Sequence, residues 1–242
     1  MRLYIIRHAD VTYRRGVPLA SVPPAERNYL TDPALSDVGR RQAALLGEHL
    51  QSRLIPGRQP QHGDRSGYAI ARLLCSPMRR ALQTTQPVAA ALGLHPEIWL
   101  DLHESGGIRY DESDGRGPRG HAGLTRAEVD EQFPGYVIPP DFAADGWWNR
   151  PPEREAEYLS RLARVAAELR SMAKNTDEHI AIITHGTAAN GLLHALMGGQ
   201  QQGECYFNHY NTGMTSLEFT ENETVIRYQN RVEHLPGDLL TG

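Results

Sequence analysis

The chain has 242 residues, 40 % of them apolar and 22 % charged, with a formal net charge of −4. A globule of this length buries roughly 70–75 % of its extended-chain surface, so a core is available without disulfide or metal staples. The mildly acidic balance, with a pI near 6.3, excludes bulk nucleic-acid or anionic-membrane binding as the main task.

The chain enters a strand directly. Leu3-Tyr4-Ile5-Ile6 is a short apolar run that ends abruptly at Arg7-His8. Such runs fit strands covered on both faces, as in a parallel sheet, and open α/β sheets place their ligand sites at the carboxyl ends of such strands. No charged region followed by a long apolar stretch precedes it, so no signal peptide is expected. No run approaches the ~18 apolar residues of a membrane helix. A cytoplasmic protein with no membrane partner is the expectation.

Residues 9–34, with Pro18, Pro23, Pro24 and Pro33, are expected to form an irregular excursion, long enough to be functional. Ser36 is a candidate helix N-cap with Asp37 in the first turn, and Val38, Leu45, Leu46 and Leu50 share one face. Pro56-Gly57 stops that helix and 58–67 reads as a polar loop. The run 68–75 reads as a strand ending at Ser76-Pro77, with Cys75 as a buried thiol. Cys75 and Cys205 are too few for a disulfide framework and have no metal-type spacing. A helix from Met78 to Leu92, closed by Gly93, and a strand over 97–102 leading to His103-Glu104 come next.

Residues 105–152 form a Gly- and Pro-rich insertion with one modest helix at about 125–133, ending in Trp147-Trp148. It is expected to be lid-like and not a second domain. An amphipathic helix with Tyr158, Leu159, Leu162, Val165, Ala166, Leu169 and Met172 as its apolar stripe follows, with Glu157→Arg161 as an i,i+4 pair on its polar side. Strand 179–184 ends at His185-Gly186, a helix covers 187–197, and a hairpin over 214–220 and 223–229 turns at Glu221-Asn222. Strands alternating with helices predict a single three-layer α/β/α domain over 1–242, with a mainly parallel central sheet. Two buried strands that both end in histidine predict one site with two imidazoles.

Five patches in order resemble the histidine phosphatase superfamily, also called phosphoglycerate mutase-like. They are Arg7-His8-Ala9, Leu35-Ser36-Asp37-Val38-Gly39-Arg40-Arg41-Gln42-Ala43, Ser76-Pro77-Met78-Arg79-Arg80-Ala81-Leu82-Gln83-Thr84, Leu102-His103-Glu104 and Thr184-His185-Gly186. The third residue of the first patch is Ala9, where the family most often has glycine. The resemblance implies a catalytic set of His8, Glu104 and His185. His8 would be the nucleophile that holds a phosphoryl group, and Arg7, Arg80 and His185 would bind phosphate. Glu104 would protonate the leaving oxygen and then assist water. No metal and no organic cofactor is implied, and the partner is a small phosphorylated substrate.

The chemistry of the residues is compatible. Phosphoryl transfer spreads negative charge over three equatorial oxygens, which calls for cations around them and an in-line nucleophile. Arginine forks match phosphate oxygens, and a neutral imidazole can hold a covalent intermediate. Arg79 competes with Arg80, since neighbouring helix residues point about 100° apart, and Asp101 competes with Glu104. The Gly186 helix start would add backbone N–H groups to the phosphate site. His103 and His121 are expected at the surface, Trp147-Trp148 in packing, and Arg109, Arg116 and Arg119 either as a solvated face or as contacts to an anionic substrate. A phosphomonoesterase is favoured, because the Gly-x-Ser-x-Trp-Asn run of phosphoglycerate mutases does not follow His8. A phosphoglycerate-type mutase and an inactive binding relative are the alternatives. Substrate identity and oligomeric state are left open.

Overall fold

The computed structural model describes residues 1–12, 17–52, 68–111, 114–199 and 205–242. The expected Pro56-Gly57 stop and the 58–67 loop lie outside these residues. Six strands form the main sheet: β1 (Arg2–Arg7), β2 (Ile70–Cys75), β3 (Glu97–Ile98), β6 (His179–Thr184), β7 (Met214–Phe219) and β8 (Thr224–Arg231). Their order is β3-β2-β6-β1-β7-β8. Strands β1, β2, β3 and β6 pair in parallel, whereas β7 is antiparallel to β1 and β8 antiparallel to β7. A two-stranded ribbon, β4 (Arg109–Tyr110) with β5 (Arg119–Gly120), lies in the insertion.

The helices are α1 (Pro24–Thr31), α2 (Asp37–Gln51), α3 (Arg79–Leu92), α4 (Arg126–Gln132), α5 (Glu155–Asn175) and α6 (Gly186–Leu196). Alternation along β1 sends its side chains to two cores. Tyr4 and Ile6 pack with Leu46 of α2 and Leu82 of α3, while Leu3 and Ile5 pack with Leu162 and Val165 of α5 and Leu192 of α6. The layers are therefore α2/α3, sheet and α5/α6. Each such Leu or Ile, fully buried, contributes roughly 1.5–3 kcal/mol.

Helix ends follow their local chemistry. Ser36 Oγ accepts from the Gly39 N–H at 2.9 Å and caps α2. Gly93 closes α3 at φ +66, a left-handed value suited to glycine. Thr125 and Glu128 form a capping box that starts α4.

Four expectations need correction. Part of the 9–34 excursion is helical, because Pro24 starts α1 and its third residue, Glu26, brings an acid to the first turn. The 97–102 strand is only two residues long, since the chain turns into a 3₁₀ turn at Leu100–Leu102. Glu157 pairs with Arg154 and not with Arg161, whose side chain is buried. His103 is not at the surface: it is 2 % exposed and packs its ring on Trp147 and Trp148. Those tryptophans, with Ile108, Leu124, Val129, Phe133 and Phe142, belong to the larger core cluster, so much of the insertion's apolar side-chain content is core.

Candidate active site

Strand register brings the two histidines together. Arg7 pairs with Thr184 and Cys75 with Ile183, so His8, Ser76 and His185 leave three adjacent parallel strands side by side. The His8 N–H donates to Thr184 O at 2.8 Å and the Ser76 N–H to Ile183 O at 3.0 Å. The rings of His8 and His185 lie 5.0 Å apart, edge to face, and both are buried.

His8 is oriented from several directions. Its Nδ1 lies 2.7 Å from Ala9 O, an acceptor, so Nδ1 carries the proton. Nε2 is then the lone-pair nitrogen, and Arg80 Nε–H donates to it at 3.2 Å. The carbonyl of His8 accepts from Asn211 Nδ2 at 2.8 Å. Burial pushes the His8 pKa well below its usual value, and the Arg80 and Arg7 cations push it the same way, against the Ala9 carbonyl. The imidazole is neutral. Ala9 is not in the left-handed region, so its methyl carries no backbone strain and packs with Val11, Leu35 and Ala43.

Of the two competing arginines, Arg80 reaches His8. Arg79 donates its Nη1–H to Gln132 of α4 at 2.7 Å and lies over the Tyr29 ring at 4.5 Å. One carboxylate serves both. Asp32 Oδ2 accepts the Arg79 backbone N–H at 2.8 Å, and Oδ1 lies 3.4 Å from Arg80 Nη1. Burial raises the Asp32 pKa, and Arg80, that N–H and Arg79 oppose the rise.

Arg7 donates Nη1–H to His209 O at 2.5 Å, while its buried Nε has no hydrogen-bond partner. A Cβ at Gly186 would touch that guanidinium at 3.4 Å, an ordinary van der Waals contact, so the start of α6 packs directly against Arg7. His185 Nε2 meets Ser76 Oγ at 2.7 Å and its buried Nδ1 is unpartnered. Burial, then Arg80 and His8, lower its pKa well below the ordinary imidazole range.

Glu104 sits on the start of α6. Its Oε1 accepts the N–H groups of Ser105 at 2.8 Å and Ala188 at 2.9 Å, and Oε2 accepts that of Thr187 at 3.2 Å. The carboxylate thus occupies the helix-end donors expected to face phosphate, a favourable place for an anion. Asp101, its competitor, pairs with Arg164 at 3.3 Å. In the insertion, Arg116 and Arg119 both pair with Asp114, at 2.9 and 2.8 Å.

Sequence reasoning missed Asp32, Ser76, Asn211 and Arg161 as parts of this site. Only Arg161 left a periodic signal, an arginine on the stripe of Tyr158, Leu162 and Val165.

Comparison with known proteins shows the family and the fold. Residues 3–232 match the histidine phosphatase superfamily (branch 1), and the chain belongs to that family of phosphatase-type enzymes. A probable phosphatase of Schizosaccharomyces pombe is 27 % identical over 191 residues, covering 76 % of this chain and 73 % of that protein. The fold is similar to the alpha-ribazole phosphatase of Shigella flexneri, with a TM-score of 0.58, 19 % identity and 96 % of each chain covered. It is also similar to a phosphoserine phosphatase of Entamoeba histolytica, with a TM-score of 0.55, 16 % identity, and 97 % of this chain and 99 % of that one covered. Among the described residues, no helix is long and apolar enough to cross a membrane.

Proposed function

We propose that the protein is a phosphomonoesterase that hydrolyses a small phosphorylated substrate through a phosphohistidine at His8, with no metal or organic cofactor. The observation that carries this reading is the state of His8. Its Nδ1–H is committed to the Ala9 carbonyl, burial keeps the ring neutral, and the lone pair is on Nε2, where it accepts the Arg80 Nε–H beside His185.

In the first step Nε2 attacks phosphorus in line and the bond to the alcohol oxygen breaks, with Glu104 giving that oxygen its proton. Glu104 enters the step as the carboxylic acid with that proton on Oε2, where only the longer Thr187 N–H bond is held. Arg7, Arg80 and His185 take up charge on the three equatorial oxygens, for which the partnerless Arg7 Nε and His185 Nδ1 are suited. An incoming phosphate dianion favours the charged imidazole and reverses the depression of the His185 pKa. In the second step Glu104 takes a proton from water, the hydroxyl attacks phosphorus, and the P–N bond breaks to release inorganic phosphate. The chain acts as one domain, and the 105–152 insertion borders the leaving-group side.

The test is chemical trapping. Mixing with a phosphoester and quenching in base should leave an acid-labile, base-stable phosphoryl group on the wild type and none on His8→Ala. Inorganic phosphate formed in ¹⁸O-water should carry one labelled oxygen. Transfer to a second hydroxyl of the substrate without release of phosphate would make the protein a mutase, and no phosphoryl capture would make it a binding relative.

A further inference from the structure

Behind Glu104 lies a buried ion pair. Arg161 has the largest of the fully buried side chains and is 2 % exposed. Its Nε and Nη2 donate to the two carboxylate oxygens of Glu153 at 2.7 and 2.8 Å. Its Nη1 donates to Asp101 O at 2.6 Å and to His103 O at 3.1 Å. On the far side of Glu104, the Gly106 N–H donates to Glu153 Oε2 at 3.4 Å and the Glu153 N–H to Gly106 O at 3.3 Å. Leu102 O, between the Asp101 and His103 carbonyls, accepts from Thr184 Oγ1 at 2.7 Å. Residues 101–106 are thus gripped on both sides of the acid, which rests its own carboxylate on α6.

Stability alone is a weak reason for such a pair. Taking two charges out of water costs several kcal/mol per ion, and apolar replacements of equal volume are often neutral or stabilising. Its bonds instead run to the backbone that carries Glu104. His103 adds to the frame as a neutral group. Burial, and then Arg161, lower its pKa to about 3, so its 3.8 Å approach to Glu153 is a packing contact beneath Trp147 and Trp148 and not an ion pair. Glu153 directly follows the insertion and Arg161 lies in the second turn of α5, so the pair ties the insertion to the acid.

We infer that Arg161 and Glu153 are positioning residues that set Glu104 for proton transfer to the leaving group. This rests on the proposed role of Glu104 as the acid. The consequence is specific to the substrate. An alkyl phosphate, whose alkoxide is a poor leaving group, needs the proton. A 2,4-dinitrophenyl phosphate leaves readily without one.

The experiment compares kcat/KM for an alkyl phosphate and for 2,4-dinitrophenyl phosphate in the wild type, Glu104→Gln, Arg161→Met, Arg161→Lys and Glu153→Gln. Arg161→Met should lower the alkyl rate on the order of 10²-fold, the scale of a ~1 Å misplacement, and leave the activated substrate within about threefold. Arg161→Lys, which keeps the charge but not the fork, should fall between. Equal losses on both substrates would reduce the pair to a structural prop and overturn the inference. If Arg161→Met does not fold, Glu153→Gln carries the same comparison with little change of shape. Glu104→Gln separates the two failures. If it shows no leaving-group dependence, the acid is misassigned. If it does and the Arg161 and Glu153 variants do not, only the positioning is wrong.

Discussion

Arg80 directs its Nε–H at Nε2 of His8 across 3.2 Å and holds Nη1 3.4 Å from the carboxylate of Asp32. One guanidinium therefore links the buried Asp32 carboxylate to the lone pair of His8, the proposed nucleophile. Arg80→Ala should lower kcat/KM on the order of 10²–10³, the loss typical of deleting one transition-state charge partner. His8→Ala should abolish turnover while circular dichroism is unchanged. Arg79→Ala breaks a contact to α4 and should cost less turnover than Arg80→Ala; steady-state rates in the reverse order would reassign the phosphate-binding arginine.

Asp32 sits where an unpaired guanidinium would be expensive. Both side chains of the pair are under one-tenth exposed. Asp32→Ala strands Arg80 and should destabilise by about 3–5 kcal/mol, read as a shift in urea midpoint at unchanged slope. A loss below about 1 kcal/mol would show that Arg80 finds another partner.

Acid should weaken the fold before the carboxylates titrate. His103 and His234 are pushed down to about 3, and His209 to about 4, mainly by burial, while His8 and His185 also lie well below their usual 6.5. Between pH 6.5 and 4 the unfolded chain binds protons at these sites and the native chain does not. Stability is therefore full above about pH 6.5 and falls as pH falls, by up to about 1.4 kcal/mol per pH unit for each histidine. Urea unfolding at pH 7, 6 and 5 reads this directly. A flat profile would mean that these imidazoles are charged in the native state.

The start of α2 rests on one glycine. A Cβ at Gly39 would lie 2.0 Å from Asp10 O, while Ser36 Oγ donates to Asp10 Oδ2 at 2.5 Å and the Ser36 N–H to Asp10 O at 3.0 Å. Gly39→Ala must push the helix off the segment that follows His8. The cost should be at least the 1–3 kcal/mol typical of overpacking, with turnover reduced as well. Thermal unfolding and kcat measured together check both parts.

The insertion should behave as core. Trp147 is buried in the larger cluster, and a Cβ at Gly123 would strike its Nε1 at 1.9 Å. Trp147→Ala should cost about 3–5 kcal/mol. A change below 1 kcal/mol by denaturation would mean that the insertion opens without cost and acts only as a cover.

The sequence by itself determined the long buried strands β1, β2 and β6, the helices α2, α3, α5 and α6, and the order of the histidines and arginines along the chain, but not α1, the brevity of β3 or the β4/β5 ribbon. Leu3 to Ile6 and Ile180 to Ile183 are short, isoleucine-rich apolar runs, and a strand covered on both faces buries every residue of each. The polar residues that follow then stand at the carboxyl ends of these central strands. Capping residues such as Ser36 and Thr125 fixed helix starts, because their hydroxyls satisfy local N–H groups without tertiary help. Tertiary structure decided which neighbour does what. The preference for Arg80 over Arg79 came from a resemblance, and the geometry that separates them depends on Asp32, 48 residues away from Arg80 in the chain. Burial of His103 depends on Trp147 and Trp148, and that of Arg161 on Glu153 and two backbone carbonyls. Local periodicity records how often a side chain faces inward, but not which distant charge or ring will be there to receive it.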